Sequence, residues 1–489
     1  MPRTALRFPD VAYGPGFISP GERGILTSVR QNSTARSAVL IAVLLLTVGI
    51  VRAARSESAA PSSVTNAAEL TAALRSGGAI ELMPGRYVGN FVISVDGTRL
   101  VGRATLPDAR VQPTDVAGVV LAPADPQAPP LRIKASRVTV SGLTVVNGAT
   151  DRETVVVGSA AATTEDQQPN DVTLDRIAVL AGESGGVRGI SLHTRRVTLT
   201  RSHVAGFWYR GRDAQAVLVV NGPGPYIIRD NYLEGSGENV LFGGATIGIK
   251  DCVPSNVEIV GNTLAKPETW RKMKGTVKNS LEFKAVRRAL VENNLIDGNW
   301  KDAQDGSPIL LTPRNQNGDN PWVVVEDVTI RGNIVRRTTD GYAVSILGRD
   351  NNHPSEQTAR VTLEHNLFAD ARNGIRVIGG VDGALTVRRN TFPAIAYNWF
   401  AFSGTGPQTP LTVTGNVARS GVYGISGDGS PVGTPSLKLT KIVAFSGNII
   451  ELTAKRKVSW PDGNTLLDPG ALGTLLDPQF RHPDPNIGY

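Results

Sequence analysis

A chain of 489 residues with one cysteine, five histidines and a formal charge of +8 excludes several classes at once. A lone cysteine rules out an intrachain disulfide framework, and five histidines without paired ligand spacing argue against a zinc centre. The basic excess suits nucleic acid, an anionic lipid surface or an acidic polymer, and the absence of any zinc-finger, RNA-recognition or helix-turn-helix signature makes nucleic acid the weakest of the three.

Residues 1–36 are rich in Pro, Gly and Ser, with arginines spread through them, and read as a disordered basic leader. Ser37–Val51 is an uncharged apolar run of 15 residues. That is shorter than the roughly 20 residues a spanning helix needs, but it matches the h-region of a secretory signal. Residues 37–60 are therefore a signal segment or a membrane anchor, followed by a cleavage or linker region of small residues. Either reading places the rest of the chain outside the cytoplasm, secreted or held at the cell envelope, with the membrane touched through this segment alone.

Asn66–Arg75 has the spacing of a short amphipathic helix, with Thr65 or Asn66 as N-cap and Gly77-Gly78 as its stop. Ala79–Tyr87 and Phe91–Ile93 follow as two short strands around a Pro-Gly turn. A helix at the start of a stack of strands hides the first open end.

Eleven copies of one apolar–polar–apolar triplet then recur, from Val138–Val140 and Val172–Leu174 to Val443–Phe445, with starts 24 to 39 residues apart. Such spacing predicts a solenoid. From the fourth copy an asparagine closes the pattern, at Asn231, Asn262, Asn294, Asn333, Asn366, Asn390, Asn416 and Asn448. Successive asparagines would stack as a ladder of amides, and Asn tolerates the left-handed backbone that a sharp corner requires. A second short strand precedes most copies, as at Val240–Phe242, Ser280–Phe283, Ile309–Leu311 and Ile375–Val377. Cys252 reads as a small buried residue.

Repeats of the form V-T-[IVL]-x-x-N-x-[IVLF] resemble the coils of the right-handed parallel β-helix, the pectate-lyase-like superfamily, over about residues 64–460. The central block (VPSNVEIVGN, TVKNSLEFK, RALVENN, LLTPRNQ) also resembles exported bacterial β-helix proteins of unassigned activity. The resemblance implies an all-β, single-stranded right-handed parallel β-helix over residues 61–463, capped by the short N-terminal helix. Residues 464–489 form a C-terminal tail or cap, and the expected state is a monomer.

Function on such a stack lies in inserts of unequal length on one side, and the longest ones flank the central coils. With Leu281 and Phe283 inward, Glu282 and Lys284 must point outward. One coil on, Thr312 and Arg314 occupy the corresponding place, and Arg349 and Asp350 the next, which would stack the three pairs about 5 Å apart. Lys278, Arg288, Asp302 and Gln304 come from adjacent loops, and Trp300 and Trp322 could stack on sugar faces. This set suits an acidic polysaccharide.

For β-elimination, a cation neutralises a uronate carboxylate, a base takes the proton beside it and an acid assists the leaving oxygen. Lys284 and Arg314 are the candidate base and neutraliser, in either assignment. The resemblance to lyases of the alginate-lyase and chondroitinase B type, which use Lys and Arg on this fold, implies the same. For hydrolysis, Glu282 with Asp302 or Asp305 would supply the two carboxylates. The calcium-site segments of pectate lyases and the NTD, DD and GHG motifs of polygalacturonases are missing, so no metal or cofactor is expected, and calcium has only scattered aspartates in its favour. His193 and Tyr342 sit where either a structural or an acid–base role fits. Three readings stay open: a polysaccharide lyase, a non-catalytic glycan-binding or adhesive protein, and a structural envelope rod in which the charged row is a solubilising salt-bridge ladder.

Overall fold

The structure, a computed structural model, describes residues 61–454 and 456–475. The basic leader and the apolar run Ser37–Val51 lie outside these residues. Among the described residues, no helix is long and apolar enough to cross a membrane.

Short apolar strands joined by tight turns cannot bury their inward side chains alone, and each coil closes only against its neighbours. Three parallel sheets result, of 14, 12 and 14 strands, in which every strand but those at the two ends pairs with its equivalents one coil before and one coil after. The eleven triplets fall on the first sheet, and the second set of expected strands on the second sheet. The third sheet takes the residues just after each asparagine, such as Thr263–Ala265 and Leu295–Asn299. Inward positions carry Val, Leu, Ile and Phe and fuse into one continuous core along the stack. Strands whose inner face is fully covered favour such branched residues there. The helix Ala67–Ser76 caps the first coil, with Asn66 accepting from the Glu69 N–H as N-cap and Leu70 and Leu74 buried beneath.

The asparagine ladder forms at the corner between the first and third sheets. Asn294 Oδ1 accepts from the Asn262 N–H at 2.9 Å and from Asn262 Nδ2 at 3.0 Å. Asn294 Nδ2 in turn donates to Ile259 O and to Asn333 Oδ1. The left-handed residue is not the ladder asparagine but the one before it, as at Asp230, Asn293, His365 and Arg389, or a glycine at 261, 332, 415 and 447. Asparagine is required at the rung for its amide, which satisfies backbone groups in a water-free corner. Asn464, at the head of the tail, is a further rung, and Thr465–Leu467 adds a strand to the third sheet.

Candidate functional site

Outward positions of the second sheet form one register row running Leu218, Leu241, Glu282, Leu310, Ser345, Arg376, Ala401. Two long inserts decide which part of it meets solvent. The loop after Phe242 and the loop after Leu311 clasp each other, with Ile247 and Asn320 exchanging hydrogen bonds of 2.8 and 3.0 Å. Ile247, Ile249, Cys252 and Val323 pack under this clasp onto Leu218, Leu241 and Ala285 as a second apolar core. Burial pushes the Cys252 thiol up to about 11, so it stays protonated and inert. The clasp covers the row as far as Leu241, the next position, Glu282, is buried among charged side chains, and from Leu310 onward the sheet is open.

The open part is a trough. A cavity of about 330 Å³ lies over Leu310, Ser345 and Leu347, with Gln304, Arg314 and Arg376 among its lining. A neighbouring hollow of about 680 Å³ shares Leu347, Asn351 and Ile378 with it and adds Arg349, Gln357 and Asp382. Two arginines are braced at the first cavity. Arg314 Nη1 bonds Asp350 at 2.8 Å and Asn351. Arg376 Nε donates to Ser345 and its Nη1 to Asp305 at 2.9 Å, while its guanidinium lies over the Tyr342 ring. Arg314 Nε and Nη2, and Arg376 Nη2, take no partner among the described residues, so each can receive an anion.

The other expected site residues divide between the trough and its surroundings. Lys284 is in register with Thr312 rather than with Arg314, whose own N–H bonds the Lys284 carbonyl at 3.0 Å. The offset arises because Leu311 pairs with Phe283, which leaves Arg314 two residues beyond the paired position. Glu282 points away from the lumen yet is 1% exposed, hemmed in by Lys284 and by Glu238 and Lys278. Lys284 is 3.6 Å from Glu282, with its side chain 14% exposed. Lys278 pairs with Asp213 at 2.5 Å. Asp302 ties its loop to that of the preceding coil by accepting from the Val277 N–H. Gln304 lines the first cavity and Arg349 the second. Arg288 sits on the first sheet, bonded to Asn256. Trp300 is buried with Trp270 and Val277 under the Arg271 guanidinium, and Trp322 donates to the Cys252 carbonyl. Both tryptophans anchor loops outside the trough lining.

Behind the closed end lies a buried polar cluster. The Glu282 carboxyl is pushed up to about 8 by burial, opposed by Lys284 and raised further by the nearby Glu238. Gln215 Nε2 donates to Glu238 Oε2 at 2.7 Å. Lys266, fully buried, donates to the carbonyls of Gly235, Ser236 and Gly237. Burial draws its ammonium down to about 7, against the pull of Glu238. Among the described residues, no three His, Cys, Asp or Glu side chains gather as a metal site.

Arg376 is the trough residue that sequence reasoning passed over. Its signal was present, since it occupies the outward position of a recognised strand, Ile375–Val377.

The family model for the right-handed β-helix region matches residues 188–392. With three parallel sheets closing coil upon coil, this makes the molecule a right-handed parallel β-helix protein. No curated protein matches the sequence. Among solved structures, the chain is similar to the catalytic domain of a GH87 α-1,3-glucanase in complex with tetrasaccharides, at 11% identity and a TM-score of 0.44 over 76% of this chain and 64% of that one. It is also similar to the PL6 family alginate lyase AlyGC, at 13% identity and a TM-score of 0.43 over 83% of this chain and 53% of that one. A third is PfbA, a surface adhesin of Streptococcus pneumoniae, at 12% identity and a TM-score of 0.39 over 78% of this chain and 94% of that one. The chain thus spans just under two thirds of the glucanase domain and about half of the lyase. At this distance the likenesses say nothing of substrate.

Proposed function

We propose that the protein is carbohydrate-active and holds an acidic, uronate-containing glycan in the trough of the second sheet, cleaving it by β-elimination. One observation carries the reading: Arg314 and Arg376 line one cavity, each braced by a carboxylate and each with guanidinium donors left free. A planar guanidinium fits a carboxylate with two parallel hydrogen bonds, and bracing removes the entropy cost of holding it in place. Arg314 or Arg376 neutralises the uronate carboxylate, which acidifies the proton on the adjacent carbon. Lys284, next to Thr312 of the floor, takes that proton. The electron pair forms the carbon–carbon double bond as the glycosidic C–O bond breaks, and the departing oxygen takes a proton from water. With a polymeric substrate we propose a location outside the cytoplasm, as expected from an export segment at Ser37–Val51.

A second reading, glycan binding without cleavage, is favoured by the position of Lys284, which is mostly buried and outside the cavity lining. The product separates the two. The full chain is incubated with alginate, polygalacturonate and chondroitin, with and without calcium, and the ultraviolet absorbance of the unsaturated uronate is followed. Elimination predicts a rise that is lost in Lys284→Ala and in Arg314→Ala. Binding to one of these polymers with no absorbance rise and no new reducing ends would refute cleavage and leave the binding reading.

A further inference from the structure

The corner between the third and second sheets carries a ridge of tyrosine and arginine along the edge of the trough. Tyr342 precedes the strand Val344–Leu347, and its ring lies beneath the Arg376 guanidinium at 5.1 Å. The next coils bring Arg372, Tyr397 and Tyr423 into register, with the Tyr397 N–H bonded to Arg372 O and the Tyr423 N–H to Tyr397 O. Arg372 covers one face of Tyr397 at 5.1 Å, and Arg456 lies over Tyr423 at 5.9 Å. Tyr397 is 42% exposed and Tyr423 40%, unlike Trp270 and Trp300, which are buried.

Charge sets this ridge apart from the first sheet. There, outward arginines are matched coil by coil, as Arg229 with Glu258, Arg331 with Glu292 and Arg388 with Glu364. Arg372 and Arg456 make no ion pair among the described residues. The ridge therefore offers aromatic faces and uncompensated cations at a repeat of roughly 5 Å, the spacing of strands in a sheet. That is close to the advance of one pyranose ring along an extended chain.

We propose that the ridge of Tyr342, Arg372, Tyr397, Tyr423 and Arg456 is an extended subsite that holds the acidic glycan beyond the trough. Sugar rings lie on the tyrosine faces, and their carboxylates meet the arginines. This rests on the reading of the trough as the glycan site, and it predicts that affinity grows with chain length past what the trough accommodates. Simultaneous contacts along one chain add without further loss of translational freedom.

The test uses the full chain and size-graded oligomers of alginate and polygalacturonate, with binding measured by titration calorimetry. Tyr397→Ala/Tyr423→Ala keeps wild-type affinity for the shortest oligomer that binds, and loses roughly tenfold or more for the longest. Tyr397→Phe/Tyr423→Phe, which keeps the ring faces, retains most of the length effect. Arg372→Gln/Arg456→Gln weakens long-chain binding and flattens its dependence on salt. An alanine variant that binds long chains as tightly as wild type, while the short oligomer still binds, overturns the ridge and spares the trough. Failure of the wild type to bind either oligomer series at any length overturns both.

Discussion

Truncating one rung in the middle of the asparagine ladder tests what holds the coils in register. Asn294→Ala removes the acceptor of the Asn262 N–H at 2.9 Å and the donor to Ile259 O at 2.8 Å, both in a buried corner. It also breaks the amide contacts to Asn262 and Asn333. A buried donor left without a partner costs about 1–3 kcal/mol, and the lost neighbouring bonds bring the total to about 2–4 kcal/mol. Asn464 makes equivalent bonds to Asn448 but is half-buried at the far end, where water replaces a lost partner. Asn464→Ala is therefore expected to cost about 1 kcal/mol or less. Urea unfolding of the full chain, followed by far-ultraviolet circular dichroism, gives the two midpoints against wild type at a common slope. Equal shifts for the two variants, or a loss below about 1 kcal/mol at Asn294, would refute the claim that the buried amides, rather than the apolar lumen alone, fix the corner.

Other perturbations separate elements that look alike. Gly97 and Gly158 both have positive φ, but a Cβ on Gly97 would meet open space, whereas one on Gly158 would lie 1.7 Å from the His193 carbonyl oxygen. Gly97→Ala should cost about 1 kcal/mol, and Gly158→Ala several times more, read as urea midpoints. Glu282 has its pKa raised from 4.5 to about 8, so the folded state holds a proton that the unfolded chain has lost between those values. This contribution is full below about pH 4.5 and falls away up to about pH 8, by at most about 1.4 kcal/mol per pH unit. Glu282→Gln should accordingly lose less stability than wild type from pH 5 to 7, and identical slopes would contradict a buried neutral acid. Trp300→Ala, emptying the site beneath Arg271, should cost about 3 kcal/mol and speed proteolysis of its loops, while oligouronate binding in the trough persists.

The scaffold was legible because it is periodic. Inward Val, Leu and Ile recur on every coil, and the helix stop at Gly77-Gly78 and the triplets from Val138 onward each report a local rule that tertiary packing obeys. The ladder asparagines were visible too, though the left-handed role falls one residue earlier, as at Asp230 and Asn293. The site was less legible, because alternation says which side chains leave the lumen but not what covers them. Leu241 and Arg376 occupy the same outward row, yet the interlocked loops around Ile247 and Asn320 bury the first and leave the second open. Contacts between inserts some 70 residues apart leave no periodic trace in sequence. The same limit applies to Trp300 and Trp322, whose type suggested sugar platforms and whose packing makes them loop anchors.

The central claim is that the trough recognises carboxylates through Arg314 and Arg376. The most direct measurement is calorimetric titration of the full chain with a polyuronate and with the same polymer after reduction of its carboxylates to alcohols. The account predicts binding to the polyuronate, loss of affinity for the reduced polymer, and a comparable loss in Arg314→Gln/Arg376→Gln. Equal binding of the two polymers, or an arginine variant as tight as wild type, would contradict it.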